Sequence, residues 1–174
     1  WGGAIPQALC GIALETKYMN QGDFRVEGAR DSASTTNKTS KKVGDLSVWH
    51  DEMLIDTYEV TVKKFDSKRI SEADQSIRAY FVPRPIPEHF TVKVLCRRQD
   101  ATGEITKAEG VSLLGEVQAE DVLFEFINIK DWLALEITAF DVDQRINFFD
   151  NVQKYLNGGR VPVEIRQTWS RYFS

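Results

Sequence analysis

Two carboxylates, Asp45 and Glu59, lie in a stretch whose polar and apolar residues alternate like the strands of a hairpin, residues 44–65. A three-residue turn after His50 places Leu54 opposite His50 and Asp45 opposite Glu59, with the β-carbons of each pair about 5 Å apart. Like charges at opposite positions destabilise a sheet, but a divalent cation between them reverses the sign of that interaction. Such a cation activates water and stabilises the charge that develops during in-line attack on phosphorus. The alternative interpretation is a solvent-facing pair of strands whose acids happen to be neighbours.

Lys63 adds a cation to this arrangement. Strands are predicted at about 44–50 and 54–63, and side chains alternate between the two faces of a strand, so Lys63 faces the same side as Glu59. Its amine is then placed to orient or deprotonate the attacking water. The opposite face of the hairpin is apolar and is predicted to face the core, with Asp56 as its one clear exception.

Basic residues surround the hairpin although the chain as a whole is acidic. Residues 63–98 carry nine Lys or Arg against four Asp or Glu, whereas residues 99–150 carry three against twelve. A locally basic surface can bind a polyanion, although charge runs are more often solvated faces. We refer to six of these residues as the basic cluster: Lys41, Lys42, Lys64, Lys68, Arg69 and Arg84.

The rest of the pattern predicts helices interleaved with strands, followed by further helices. Before the hairpin we predict a helix over residues 6–18 and a loop over 19–43 that contains a short strand at 24–27. After the hairpin we predict a helix with Ser67 as its N-cap, a proline-rich loop over 82–89 and a central strand at 90–98. The region at 111–129 fits either two strands or a strand and a helix, and helices begin at Asp131, Asp141 and Pro162. This order predicts a single α/β or α+β domain over residues 1–174.

The order helix, three strands, helix and strand, with these two acids, resembles the PD-(D/E)xK nuclease superfamily, which has the restriction-endonuclease-like fold. Gly44 and Asp45 match the first motif, with glycine in place of the nominal proline, and EVTVK at 59–63 matches the second. The longer stretch EVTVKKFDSKRISEADQSIRAY is also similar to bacterial type II restriction endonucleases. The resemblance covers residues 1–98 best and leaves residues 99–174, with a helical part from about 130, unmatched.

The resemblance implies a Mg²⁺-dependent endonuclease that hydrolyses phosphodiester bonds in double-stranded DNA. It implies that Asp45, Glu59 and the backbone carbonyl of Val60 hold Mg²⁺, and that Glu15 is a first-helix acid that adds a ligand or supports one. The basic cluster is then expected to bind DNA, and cutting of palindromic sites implies a homodimer. The mixed central sheet is expected to carry helices on its faces and appended C-terminal helices.

Thr61 departs from the family pattern, because the motif expects lysine at this position. Either the lysine has moved to Lys63, or another basic residue such as Lys68 reaches the site, or the site is impaired. The competing hypothesis is therefore a non-catalytic nucleic-acid-binding or protein-interaction domain that keeps the fold without the chemistry.

Composition and length exclude several other classes of protein. No apolar run approaches the roughly 20 residues of a membrane helix, and the layout of a signal peptide is missing. Cys10 and Cys96 are predicted to be buried free thiols, as expected in a reducing cytoplasm. Because His50 and His89 are the only histidines and no acid-flanked nucleophile occurs, serine or cysteine hydrolysis is not expected. Trp1 at the first position indicates a piece of a longer chain.

Overall fold

The computed structural model of the chain describes residues 4–29, 43–82, 84–105, 112–158 and 161–173. These residues form a six-stranded mixed sheet with helices on its faces, which confirms the predicted α/β class. The elements in chain order are α1 (Ala4–Lys17), β1 (Phe24–Glu27), β2 (Leu46–His50), β3 (Met53–Val60), α2 (Ser67–Phe81), β4 (Phe90–Cys96), β5 (Leu113–Ala119), β6 (Val122–Asn128), α3 (Ile129–Ala139), α4 (Val142–Asn157) and α5 (Val163–Phe173).

The strand order in the sheet is β1-β2-β3-β4-β6-β5. The first three strands form an antiparallel meander, and α2 then carries the chain across to β4, which runs parallel to β3. Strand β6 is parallel to β4, and β5 closes the sheet as an antiparallel edge strand. The region left ambiguous by sequence therefore forms two strands, and these extend the same sheet as the hairpin.

The two faces of the sheet carry separate hydrophobic cores. On one face α1, α3 and α4 pack together, and Tyr58 of β3 lies against Trp132 with ring centroids 5.8 Å apart. On the other face α2 contributes Ile77 to a core that includes Val94 of β4. Because side chains alternate along a strand, β3 sends Tyr58 to the first face and Glu59, the partner of Val94, to the second.

The hairpin register is partly different from the predicted one. His50 pairs with Met53 and not with Leu54, so the turn at the tip is one residue shorter than predicted. A β-bulge follows, and beyond it Leu46 pairs with Tyr58 as the predicted register requires. The predicted register is therefore wrong at the tip and correct at the end of the hairpin that leads to the two acids.

The face of the hairpin that carries Glu59 is buried, because α2 covers this side of the sheet. The exposed fractions of Ser47, Thr57 and Glu59 are 2%, 1% and 7%. The solvent-facing pair of strands that the sequence left open is therefore ruled out for Glu59. A carboxyl group in such a place loses hydration and has to be compensated by hydrogen bonds, a cation or a bound proton.

Neither cysteine forms a disulfide, and both are buried, as predicted. Burial raises the pKa of the Cys96 thiol to about 12, with a smaller contribution from the charge of Asp100. Within the described ranges, no helix has the length and apolar character needed to cross a membrane.

Helix α2 begins from a different cap than predicted. The N-cap is Asp66, whose carboxylate accepts a hydrogen bond from the backbone N–H of Arg69 at 3.2 Å, and Ser67 is the first helical residue. The buried stripe of the helix includes Ile70 and Ile77, which the sequence pattern had placed on one face. The cap fixes where the helix starts relative to the end of β3, and with it the position of Arg69.

Replacement of Asp66 by alanine is expected to lower the free energy of unfolding by about 1 kcal/mol, because an N–H of the first turn loses its acceptor. The matched control is Ser67→Ala, which changes the residue that the sequence indicated as the cap. It is expected to alter stability by less than about 0.5 kcal/mol. Urea unfolding followed by circular dichroism measures both, and a larger loss for Ser67→Ala contradicts the cap assignment.

Candidate active site

Asp45 lies directly before β2 and is bound by the backbone at the end of β3. Its own N–H donates to the carbonyl oxygen of Tyr58 at 2.9 Å, and its Oδ2 accepts from the N–H of Val60 at 3.0 Å. Tyr58 and Val60 flank Glu59 in the chain, so Asp45 lies across from Glu59, as the register at this end of the hairpin requires. The pairing that the sequence suggested is therefore present as a fixed piece of backbone geometry.

Two glycines allow the backbone to pack so closely around Asp45. Gly44 has φ +75°, and a β-carbon there would lie 2.7 Å from the carbonyl oxygen of Tyr58. Gly28 has φ +90°, and a β-carbon there would lie 2.0 Å from the carbonyl oxygen of Asp45. Proline is fixed near φ −65°, so the backbone at position 44 cannot take the nominal proline of the motif.

Gln7 of α1 is a site residue that the sequence analysis missed. Its side-chain amide donates to the carbonyl oxygens of Gly28 at 3.3 Å and Asp45 at 3.4 Å, and the residue is buried. It lies on the same buried helical stripe as Cys10 and Leu14. The signal that could have identified Gln7 is a polar residue at an otherwise apolar, core-facing position of the helix.

The half-buried carboxyl of Asp45 lies across the hairpin from the buried carboxyl of Glu59. Burial raises the pKa of Asp45, and this effect exceeds three opposing ones: the Val60 N–H, the positive charge of Arg69 and the hydrogen bond with Glu59. Asp45 therefore keeps its proton to higher pH than an exposed aspartate does. A proton and a divalent cation compete for the same oxygen atoms, so this is a place where a metal can replace a proton.

Helix α2 brings the cation of Arg69 to the end of β3, close to these acids in the chain. Arg69 donates from Nη1 to the hydroxyl of Thr61 at 2.7 Å, and its guanidinium lies 4.7 Å from the centre of the Phe65 ring. Thr61 is buried and its N–H bonds to the carbonyl oxygen of Leu95, so the pairing of β3 with β4 extends to this residue. The charge of Arg69 lowers the pKa of Asp45, against the larger effect of burial, and the contact with DNA expected for Arg69 stays a prediction.

Lys63 is not on β3, because the strand ends at Val60 and the chain turns. The backbone N–H of Lys63 binds the Thr61 hydroxyl at 3.0 Å, and the side chain is exposed. The predicted strand is present but ends at Val60 and not at Lys63, and the common face of Lys63 and Glu59 that followed from the longer strand is therefore wrong. The catalytic role expected for Lys63 stays a prediction.

The turn after β3 is held by contacts from the segment after β4. Arg97 donates from Nη2 to the carbonyl oxygen of Val62 at 2.7 Å and to Asp100 at 3.1 Å. The N–H of Phe65 donates to the carbonyl oxygen of Asp100 at 2.7 Å. These contacts fix the path from β3 to α2 and so hold the Phe65 ring under the guanidinium of Arg69.

Glu15 lies on α1, eight residues beyond Gln7 and therefore about 12 Å further along the helix axis. It lines a cavity of about 350 Å³ together with Lys154 and Tyr155 of α4. The structure thus places Gln7, and not Glu15, against the backbone of Asp45. The metal-supporting role of Glu15 stays a prediction.

The other members of the basic cluster lie at the surface where they are described. Lys64 and Arg84 are exposed, and the Lys68 side chain is 83% exposed and 4.0 Å from Glu72. Lys68 therefore points to solvent, whereas Arg69, among the described members of the cluster, lies at the end of β3 and lowers the pKa of Asp45 by its charge. Lys41 and Lys42 lie outside the described residues.

Within the ranges that the structure describes, no group of three or more His, Cys, Asp or Glu side chains could hold a metal ion. The donor set is smaller and consists of the two carboxyls with the Val60 carbonyl. The N–H and C=O of one strand residue point to the same edge, so the Val60 carbonyl faces the side on which its N–H binds Asp45. Mg²⁺ is typically bound by one or two carboxylates, waters and substrate phosphate, and this donor set fits that pattern.

Comparisons with known proteins add no relative. No family model matches the chain, and no curated protein matches its sequence significantly. The fold and the geometry of the site are therefore the basis for a functional proposal.

The raised pKa of Asp45 predicts how stability depends on pH. As pH rises from about 4, the unfolded chain loses the proton of Asp45 before the folded chain does, so folding becomes less favourable until the folded-state pKa is passed. Asparagine imitates the protonated acid and keeps an acceptor for the Val60 N–H. Asp45→Asn is therefore expected to be more stable than the parent at pH 7, with the difference shrinking towards pH 4.

Thermal unfolding from pH 4 to 8, without divalent metal, measures this difference. The control is Asp51→Asn, the same change at the exposed turn of the same hairpin. A lower stability of Asp45→Asn than of the parent at pH 7 contradicts the assigned shift.

Proposed function

We propose that the chain is a Mg²⁺-dependent DNA endonuclease of the PD-(D/E)xK type, related to the type II restriction enzymes that its sequence resembles. The single observation that carries this proposal is the position of Asp45, whose N–H and carboxyl are both bound by the backbone on either side of the buried Glu59 at the junction of β2 and β3. Glu59 is buried and Asp45 is half-buried, and two such neighbouring acids destabilise the fold unless a proton or a cation compensates them, so their presence favours a role in chemistry.

The order of elements supports the same class. Helix α1, strands β1 to β3, helix α2 and strand β4 follow one another as helix, three strands, helix and strand, the order that the resemblance implies. The first acid comes at the start of the second strand and the second acid near the end of the third, with Gly44 required by the backbone before the first. This agreement joins fold and motif, which a short motif alone does not.

In the proposed site Asp45, Glu59 and the Val60 carbonyl hold Mg²⁺. When bound, the metal supplies an activated water and stabilises negative charge on the phosphate. The residues of the chain contribute orientation: the Val60 N–H fixes the Asp45 carboxyl, and Gln7 and Gly28 fix its backbone. Burial beneath α2 excludes bulk water from Glu59 and strengthens electrostatic interactions there.

The substrate class follows from charge. The exposed members of the basic cluster, Lys64, Lys68 and Arg84, offer cations to the phosphates of a duplex, and such contacts give affinity without sequence information. Double-stranded DNA is therefore the proposed partner. A homodimer for palindromic sites remains part of the proposal.

The competing proposal is a nucleic-acid-binding domain without catalysis. The observation that favours it is that the cation at the end of β3 is an arginine, Arg69, which donates a hydrogen bond to the Thr61 hydroxyl. A guanidinium stays protonated and cannot take a proton from water. In that case the fold keeps DNA affinity but lacks a base. The two proposals differ in whether metal-dependent cleavage occurs.

Cleavage of plasmid DNA with Mg²⁺ or Mn²⁺ is expected for the parent chain. Asp45→Asn and Glu59→Gln are each expected to lower the cleavage rate by about 100-fold or more, because each removes a charged metal ligand while keeping the shape of the side chain. Metal-free DNA binding, measured by fluorescence anisotropy, is expected to be equal or tighter, since a negative charge near the phosphate is lost.

Asp51→Asn and Glu52→Gln serve as matched controls, because they make the same changes in the exposed turn of the same hairpin. Both are expected to cleave at the parental rate. A parent that binds DNA but does not cut it with either metal supports the non-catalytic domain, and cleavage that survives both site variants excludes this site.

A further inference from the structure

Arg69 is held in place more firmly than a surface cation that contacts DNA needs to be. Its guanidinium donates to the buried Thr61 hydroxyl at 2.7 Å and stacks over Phe65 at 4.7 Å, and its backbone N–H is fixed by the Asp66 cap. Its neighbour Lys68 is a contrast, with an 83% exposed side chain. A half-buried arginine whose guanidinium has two partners is already partly ordered before any ligand arrives.

Thr61, which holds the guanidinium of Arg69, directly follows the strand that carries Glu59. Thr61 is two residues beyond Glu59, and its N–H still pairs with β4, so the two side chains lie on the same face of the extended strand. The guanidinium bound to Thr61 therefore lies on the side of the strand that carries Glu59. Its charge also reaches Asp45 across the hairpin, where it opposes the effect of burial.

The guanidinium retains capacity for a ligand. It carries five N–H donors in one plane, and among the described residues the hydrogen bond that it donates goes to Thr61. A planar array of donors matches two oxygen atoms of a phosphate. The hydrogen-bond partner of Arg69 is a neutral hydroxyl, whereas Arg78 and Arg97 are each paired with acids.

We propose that Arg69, anchored by Thr61, binds the nonbridging oxygens of the phosphate that is cleaved and stabilises their charge in the transition state. The proposal rests on the proposed nuclease function. It gives Thr61 a role as a positioning residue and explains why a threonine is suited to this place: its hydroxyl accepts from the guanidinium, which a lysine side chain cannot do. Because arginine stays protonated, its contribution is electrostatic and it does not act as the base.

Single-turnover cleavage of a defined duplex tests this role. Arg69→Gln is expected to lower the cleavage rate by about 100-fold or more, as for other lost transition-state donors, while the Kd for the same duplex without metal changes by less than about threefold. Arg69→Lys is expected to retain an intermediate rate, since the charge remains without the planar donors. Arg145→Gln is the control, because it removes the same charge from an exposed position on α4, which packs on the opposite face of the sheet.

A phosphorothioate at the bond that the parent cuts gives a second readout, which a purely structural role does not affect. Sulfur at the nonbridging position that Arg69 contacts is expected to slow the parent, and to slow Arg69→Gln much less, because the contact is already missing. Thermal unfolding of Arg69→Gln and Arg69→Lys shows whether a loss of cleavage rate comes from a loss of fold.

The outcomes separate this inference from the proposed function. A parent that cleaves together with an equally active Arg69→Gln overturns the role of Arg69 and leaves the nuclease intact. If Arg69→Gln loses cleavage rate and metal-free DNA affinity by the same factor, Arg69 is an ordinary contact to the DNA backbone, and its proposed role in the transition state is also overturned. A parent that cuts no DNA overturns both.

Discussion

The interaction on which the site depends is the bond from the Val60 N–H to the carboxyl of Asp45. It brings an acid from the start of β2 against the end of β3, where Glu59 already points into the buried face beneath α2. Neighbouring carboxyl groups in this position carry an electrostatic cost, because Glu59 is buried and Asp45 is half-buried. The raised pKa of Asp45 lowers this cost by favouring the protonated acid, and the metal that we propose would lower it by supplying positive charge.

Much of the surrounding structure serves to keep this contact in place. Gly44 and Gly28 remove the side chains that would keep the strands apart, and Gln7 ties α1 to the same backbone. On the other side of the acids, the contacts of Arg97 and Asp100 set the turn that leads into α2. The helix then returns Arg69 to the end of β3. The acids and their cation thus come from two separate segments that meet at one edge of the hairpin.

The sequence predicted those features that depend on local patterns. The strand at 24–27, the helix that follows the hairpin and the register near Asp45 all follow from alternation and spacing, and the structure agrees. Features set by tertiary contacts were missed or wrong. Lys63 was assigned to β3 because its spacing fits, yet the turn fixed by Arg97 ends the strand earlier. Gln7 and the anchored position of Arg69 depend on how α1 and α2 dock, which no local pattern encodes.

A metal bound between Asp45 and Glu59 is the central claim, and a crystal soaked in Mn²⁺ tests it most directly. Anomalous scattering measured near the manganese absorption edge locates the ion without reference to activity or to DNA. The account predicts a peak within coordination distance, about 2 to 2.5 Å, of a carboxylate oxygen of each acid and of the Val60 carbonyl. A strong peak elsewhere, with no peak at the carboxyl groups of Asp45 and Glu59, contradicts the proposed metal site.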